Sequence, residues 1–423
     1  MATLSTDYFE KKKGFSSCLA ALYGDAAKAR AARFPKLAEL HSRIFGKEYR
    51  DFFSSPGRIE IVGNHTDHNA GKVLAAAITY DTLGAVSPRD DGKIEVKSES
   101  YPMLSVDTAD VSFKPSELGT STALIKGVVD YYLRAGKKVG GFNACMDSIV
   151  PKGSGVSSSS SFELIIAEIL NVYYNDGALD PVFKAKASQY AENAYFGKPC
   201  GLMDQSAIAL GGVNMIDFRS FDNPEIEKTQ WKFDDLDIYV VATGGDHCDL
   251  TDDYAAIPAE MKSVAEALGG KVLRDVAPAD FYAAENSLRG KLPPRALLRA
   301  EHFYEENVRV ENAFEAVKNS DERRFLDTVN ASGESSAVKL QNLRSERGDD
   351  AVETGLAKAA AIKGVEAHRV HGGGFAGTIL LFVKKQLSDS VNERLNSVFG
   401  ANNVFKLSIR QSGACRVDLE EGI

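Results

Sequence analysis

With 423 residues, 44% of them hydrophobic and 26% charged, the chain exceeds the size at which one hydrophobic core keeps growing. Two domains with a cleft between them are expected, and disorder of the whole chain is excluded. A formal net charge of -9 argues against non-specific nucleic-acid binding, but not against a nucleotide held locally by backbone amides, a few cations and magnesium. The five cysteines are widely spaced, no apolar run approaches the roughly 18 residues that span a bilayer, and no targeting peptide stands out, so a reducing cytoplasm is expected, with neither membrane nor nucleic acid as partner.

Residues 58–69 pack an arginine, two histidines, an aspartate and two asparagines among Gly57, Gly63 and Gly71, ahead of the apolar residues 73–78. That density suits a polyhydroxylated ligand, and on residue type alone it also suits a solvated turn. Residues 83–87 and 94–98 are strand-like and flank Asp90-Asp91-Gly92, which predicts a hairpin. A further strand over 142–150 runs into Pro151-Lys152-Gly153-Ser154-Gly155-Val156 and five serines, after which Phe162, Ile165, Ile166 and Ile169 share one helical face. Glycines let a backbone approach phosphate, and a helix N-terminus adds unpaired N–H groups and a positive dipole end; the competing reading is a loop capped by serine. The Walker pattern is absent.

A helix is predicted from Pro181 to about Phe196, stopped by Gly197 and Pro199. Asp204 follows in Gly201-Leu202-Met203-Asp204-Gln205, where it can act as a general base or as an N-cap; taken by itself the cap is the simpler reading. Residues 238–242 form a buried-strand pattern, Met261, Val264, Ala265 and Leu268 recur at helical spacing, and a long helix starts near Pro294. Gly372, Gly374 and Gly377 satisfy G-x-G-x-x-G, but a strand-like segment over 378–383 follows where a dinucleotide site needs a helix, so a glycine turn lining a cleft is expected. Strand candidates over 404–409 and 416–419 complete an α+β, two-domain pattern, divided by position alone somewhere between about 205 and 235.

Taken in order, these segments resemble galactokinases, members of the GHMP kinase superfamily. Residues 57–69 are similar to G-R-x-N-x-x-G-E-H-T-D-Y-N, residues 151–161 to P-x-G-x-G-L-S-S-S-A, residues 200–205 to C-G-[IL]-M-D-Q and residues 372–377 to G-G-G-F-G-G. Residues 1–36 and the stretch around 332–346 lack an evident match. The resemblance implies the GHMP kinase fold with its active site at the domain interface: an N-terminal extension over 1–36, a domain over 37–220 with the sugar signature and phosphate loop, and a ferredoxin-like domain over 221–423. It implies ATP-dependent phosphorylation of galactose at the anomeric hydroxyl, with a galacturonate kinase and a non-catalytic sugar-responsive regulator as the alternatives; the oligomeric state is left open.

Residue roles follow from the same resemblance. Asp204 would be the base and Arg58 its charged partner. Gly153, Ser154, Gly155, Val156, Ser157, Ser158 and Ser159 would hold the nucleotide, and Ser158 or Ser159 with Glu192 would hold Mg2+. His65, Asp67, Gly201 and Tyr254 would contact sugar hydroxyls, Tyr254 being placed by its register after His247. Asn64 stands where galactokinases carry a glutamate near the sugar O6 and is expected to read the C6 substituent. Further departures are Glu60, His68, Ser160 and Ala376.

Overall fold

The computed structural model describes residues 6–99, 101–151, 153–198, 200–244, 250–375 and 377–422. Lys152, Pro199, His247, Cys248 and Ala376, which entered the readings above, lie outside the described residues. The described strands are β1 (Asp51–Val62), β2 (Lys72–Arg89), β3 (Lys93–Ser98), β4 (Leu104–Asp107), β5 (Gly141–Ser148), β6 (Val213–Asp217), β7 (Glu225–Thr229), β8 (Leu236–Ala242), β9 (Val365–His371), β10 (Thr378–Lys384), β11 (Val404–Leu407) and β12 (Cys415–Val417). They form two sheets. The larger runs β12-β1-β2-β5-β3-β4, with β6 and β7 attached along the other half of β2; the smaller runs β11-β8-β10-β9.

The smaller sheet is antiparallel throughout, and its strands in chain order lie 4-1-3-2 across it, which is the ferredoxin-like split βαβ arrangement. In the larger sheet the period of two along β1 sends neighbours to opposite faces. Phe53 packs with Val86, Ile165 and Ile166 under the helix Ser158–Tyr174, whereas Phe52 packs with Phe9, Phe34 and Leu83 under the N-terminal helices. Ile165, Ile166 and Ile169 of the helical face expected over residues 162–169 are buried and Phe162 packs against the same core, but the helix is covered elsewhere too, with Leu164 against Val73 and Ile208. A third core joins the two sheets: Ile59, Ile61 and Leu74 of the larger sheet meet Ile238, Leu380 and Phe382 of the smaller, with Val310 and Phe325 from helices Pro294–Lys318 and Glu322–Ser335.

The hairpin expected around Asp90-Asp91-Gly92 does not form. Gly92 does take a positive φ of 72°, but β5 lies between β2 and β3, pairing antiparallel with the one and parallel with the other. Turn chemistry sets a backbone angle; it does not choose the partner strand, and the apolar row Phe142, Ala144 and Met146 makes β5 the better filling for the sheet centre.

Residues 6–45 are built into the larger sheet's core. Their helix Arg33–Phe45 runs across position 36, and Arg33 reaches buried Asp81 of β2 at 2.5 Å. Position 220 falls between β6 and β7, which pair with each other, and β12 returns from the far end of the chain to pair with β1. No helix among the described residues is long and apolar enough to cross a membrane.

Candidate active site

The glycine-serine loop over 153–159 is docked onto a flaw in β1. Register with β2 slips between Pro56 and Arg58, and there a Cβ on Gly57 would stand 2.7 Å from the Val156 carbonyl oxygen, so only glycine allows the approach. The Arg58 N–H donates to that same carbonyl at 3.2 Å. Its guanidinium, almost fully buried, donates to the Gly155 carbonyl and places Nε and Nη2 each 2.8 Å from Oδ1 of Asp204. The Ser157 hydroxyl donates to Oδ2 of the same carboxylate.

Two alternatives left open by residue type are decided here. Ser157 precedes the helix Ser158–Tyr174 at φ 63° and makes no capping bond, so the loop is not a serine-capped helix start. Asp204 sits inside the first turn of Met203–Leu210, whose N-cap is Leu202, so the N-cap reading is corrected. Charge-assisted bonds to Arg58 outrank a neutral backbone amide as a partner for this carboxylate. Burial opposes ionisation of Asp204, but Arg58, the Ser157 hydroxyl and Lys198 outweigh it and hold the carboxyl below the usual range.

Glu192 comes from a π-helical turn, Ala191–Phe196, that ends the helix Pro181–Tyr190, and such turns recur at functional sites. Its buried carboxylate accepts from the Ser159 hydroxyl at 2.6 Å and from Gln205 Nε2 at 3.2 Å, with Lys198 Nζ 3.8 Å away. Glu163, which accepts from the Ser188 hydroxyl, is pushed well above the usual carboxylate range by burial and by the neighbouring Glu192 charge.

The signature segment is wired differently. Asn69 Nδ2 lies 3.0 Å from His68 Nδ1, His68 Nε2 lies 3.4 Å from His65 Nδ1, and His65 Nε2 lies 3.0 Å from the Gly373 carbonyl. The terminal donor and acceptor assign each tautomer: every imidazole accepts at Nδ1 and donates at Nε2. Burial, with the adjacent His68, lowers His65 to about 3, and burial lowers His68 to about 4, so both rings are neutral at pH 7.

Asn64 is equally committed. Its amide nitrogen donates to Glu60 at 3.0 Å and to the Gly372 carbonyl at 2.7 Å, and its oxygen accepts from Asn342 at 2.8 Å and Ser336 at 3.4 Å. Both hydrogens are used inside the protein, so the expected contact with a C6 substituent has no donor left to make it. Glu60 is pushed up to about 7 by burial, against Arg369 and Arg58. The turn is held from the second sheet's side by Glu306, which accepts from Gly63 N–H at 2.9 Å, and by His302, 3.0 Å from the Asn64 carbonyl.

Asp67 accepts the His68 N–H at Oδ1, 2.9 Å away, and a Cβ on Gly201 would stand 1.9 Å from Oδ2; glycine at 201 makes room for that carboxylate. Burial raises Asp67, with Asp204 adding and His65 opposing. Tyr254 donates to the Gly374 carbonyl at 3.2 Å, and its ring lies where a Cβ on Gly373 would be, 2.4 Å from Cε1. Arg58, Asp67, Gly201, Asp204, Tyr254 and the 153–159 loop are thereby gathered at one place, the junction of the two sheets.

Residue-type reasoning missed several members of this junction. Ser336 and Asn342 come from the stretch without an evident match, yet they hold Asn64. His371 accepts the Glu60 N–H at Nε2, 3.1 Å away, which leaves a buried Nδ1–H beside the Thr378 hydroxyl, both against Gly155 and both without a hydrogen-bond partner among the described residues. The strand pairing Thr378 with His371 was legible only after the sheet was known.

Comparison with known proteins points the same way. Residues 39–88 match the galactokinase galactose-binding signature and residues 123–212 the GHMP kinases N terminal domain. The galactokinase of Streptomyces coelicolor is 31% identical over 369 residues, covering 86% of this chain and 92% of that protein. The galactokinase of Homo sapiens is 29% identical over 406 residues, covering 91% and 98%. The crystal structure of Lactococcus lactis galactokinase complexed with galactose superposes with a TM-score of 0.79 at 25% identity, covering 90% of this chain and 99% of that one. A mevalonate kinase structure shares the fold at a TM-score of 0.59 and 16% identity.

Proposed function

Because the chain belongs to the galactokinase family, we propose that it transfers the γ-phosphoryl group of ATP to the anomeric hydroxyl of galactose, yielding galactose 1-phosphate and ADP. The observation that carries the reading is the Asp204 carboxylate, kept ionised by Arg58 and bonded to a hydroxyl of the phosphate loop. Asp204 takes the proton from the anomeric hydroxyl; the oxygen attacks the γ-phosphorus, and the bond to the bridging oxygen breaks with ADP as leaving group. Arg58 stabilises charge on the attacking oxygen and the phosphoryl group, as phosphoryl transfer requires positioning and neutralisation more than covalent help. Asp67, with Gly201 clearing space for it, and Tyr254 orient the sugar, and the 153–159 loop cradles the phosphates.

Magnesium fits the donor set. Among the described residues no group of three or more His, Cys, Asp or Glu side chains gathers as a cage, and magnesium needs none, since it takes one or two carboxylates with phosphate oxygens and water. The Glu192 carboxylate with the Ser159 hydroxyl offers hard oxygen donors of that kind. When bound, the ion supplies charge neutralisation at the phosphates. The domain division we propose follows the sheets: the nucleotide lobe comprises residues 6–229 with the returning segment 410–417, and residues 236–407 form the other lobe.

The test is ATP consumption with galactose, galacturonate, N-acetylgalactosamine and glucose side by side, with the phosphorylated carbon located by NMR. Galactose is expected to give the highest kcat/KM, with phosphate on C1. No lysine or arginine lies within residues 64–69 to pair a C6 carboxylate, and a desolvated carboxylate without donors is costly. A preference for galacturonate, or sugar binding without ATP consumption, overturns the assignment.

A further inference from the structure

Lys198 follows Gly197, whose φ of 84° ends the Ala191–Phe196 turn. Its side chain is 61% exposed, yet its ammonium stands 3.8 Å from Oε1 of Glu192, which is 2% exposed. At that separation the contact is electrostatic only, so the ammonium hydrogens have no hydrogen-bond acceptor among the described residues. Oε1 is also the atom that accepts from Ser159, 2.6 Å away, on the first turn of the helix Ser158–Tyr174. One carboxylate oxygen therefore ties a long, extensible cation to the helix start that the phosphate loop leads into.

Among the described residues, the other cation bonded to this loop is not available in this way. Arg58 is buried and already donates to Asp204 and to the Gly155 carbonyl. A flexible ammonium at the mouth of a phosphate cradle, paired only loosely and to the carboxylate that a metal would claim, is placed to change partner when anionic oxygens arrive.

We propose that Lys198 is a phosphate ligand, its ammonium pairing with a terminal phosphate oxygen of the nucleotide at the start of the Ser158–Tyr174 helix. The inference rests on the functional reading above and adds a residue to it. Lysine is suited to the task as a compact point charge on a four-carbon stem, able to follow an oxygen that moves during transfer.

The full-length protein is compared with Lys198→Met, which keeps the stem and removes the charge, and with Lys198→Arg. ATP affinity is measured by calorimetry without sugar, once with excess EDTA and once with excess magnesium. Lys198→Met is expected to weaken ATP about tenfold with EDTA, the scale of one charge-assisted hydrogen bond, while Lys198→Arg stays within about threefold of wild type. In turnover assays Lys198→Met raises KM for ATP and lowers kcat, and leaves KM for galactose within about twofold. ATP affinity within twofold of wild type in both metal conditions overturns the proposal, and so does a wild-type protein that binds no ATP. Because the affinity assay contains no acceptor, the two readings fail separately: normal galactose phosphorylation with unchanged ATP affinity removes Lys198 alone, whereas loss of ATP affinity in a protein that phosphorylates no galactose removes the sugar assignment alone.

Discussion

The Arg58–Asp204–Ser157 cluster and the segment Asn64–Asn69 both line the junction of the two sheets, and both are dense in polar side chains, yet they are built to opposite ends. In the segment, Asn69, His68 and His65 pass their donors along to the Gly373 carbonyl, and Asn64 spends its own on Glu60 and the Gly372 carbonyl. In the cluster, a carboxylate held ionised has its two oxygens toward a guanidinium and one hydroxyl, with 28% of its side chain still exposed. A buried polar chain whose members are all satisfied contributes rigidity and specificity of fold; a charged group with an open side retains something to offer a ligand. Polar density in a sequence marks both kinds and does not separate them.

The comparison breaks first at Asp204. Asp204→Asn keeps size and removes the proton acceptor, so turnover is expected to fall about 100- to 10,000-fold while galactose affinity stays within a few-fold. Single-turnover phosphate transfer and equilibrium sugar binding on the same preparation check this, and wild-type turnover in the variant removes the base role.

Asn64→Glu tests the committed side. The new carboxylate would meet Glu60 where the amide now donates at 3.0 Å, and an unpaired buried charge costs about 3–5 kcal/mol. Urea unfolding is expected to shift to a lower midpoint by that scale, and the double variant Glu60→Asn with Asn64→Glu to recover most of the loss, because the pair then again holds one carboxylate and one amide. The galactose to galacturonate ratio of kcat/KM is expected to move by less than about threefold, since the amide faces the protein; a tenfold change, about 1.4 kcal/mol, would return Asn64 to the sugar.

Glu192→Gln removes the anionic partner of Ser159 and Lys198. The magnesium concentration for half-maximal rate is expected to rise about tenfold, the effect of one lost carboxylate among hard oxygen donors. An unchanged magnesium titration contradicts the assignment.

The smallest effect is expected from Ser157→Ala. Losing the hydroxyl removes one of the bonds that, with Arg58, hold Asp204 below its usual value of 3.8 against burial, so its value rises toward the usual range. A depressed carboxylate contributes stability that is present above the unfolded value and lost as pH falls through the folded one. The contribution of ionised Asp204 to activity and stability should therefore be lost only below its usual value in the wild type and at a higher pH in the variant, while neutral turnover drops no more than about threefold. The acid limb of kcat/KM and an acid-unfolding curve measure the shift.

What could be read from residues alone followed the range of the interactions involved. Phe162, Ile165, Ile166 and Ile169 announce a helix because its face repeats every few residues, and that helix stands where expected. The strand, glycine loop and helix around the proposed nucleotide site are contiguous in sequence and are legible for the same reason. β5 between β2 and β3, and Ser336 and Asn342 against Asn64, depend on segments that meet only in the folded chain. The joint roles of Arg58 and Asp204 came from resemblance to galactokinases, not from spacing, since 146 residues separate the pair. Lys198 escaped because a lone lysine has no pattern; its meaning lies in the distance to one buried oxygen.

The return of β12 to β1 has a consequence for the order in which the protein is made. Arg410 donates to Ser54 at 2.6 Å across 356 residues, in the same buried cluster in which Asp81 meets Arg33. At about 5–20 residues per second, a ribosome needs roughly 20–70 seconds to get from one partner to the other. Throughout that interval the nascent nucleotide lobe has Phe52 and Ser54 on an open sheet edge and Asp81 short of one of its two arginines. The ferredoxin-like lobe, whose four strands all emerge inside the interval, can close before the lobe that was begun first. The growing chain thus carries an exposed strand edge for most of its synthesis, and the segment after Leu407 is what shields it from neighbouring chains on the same message.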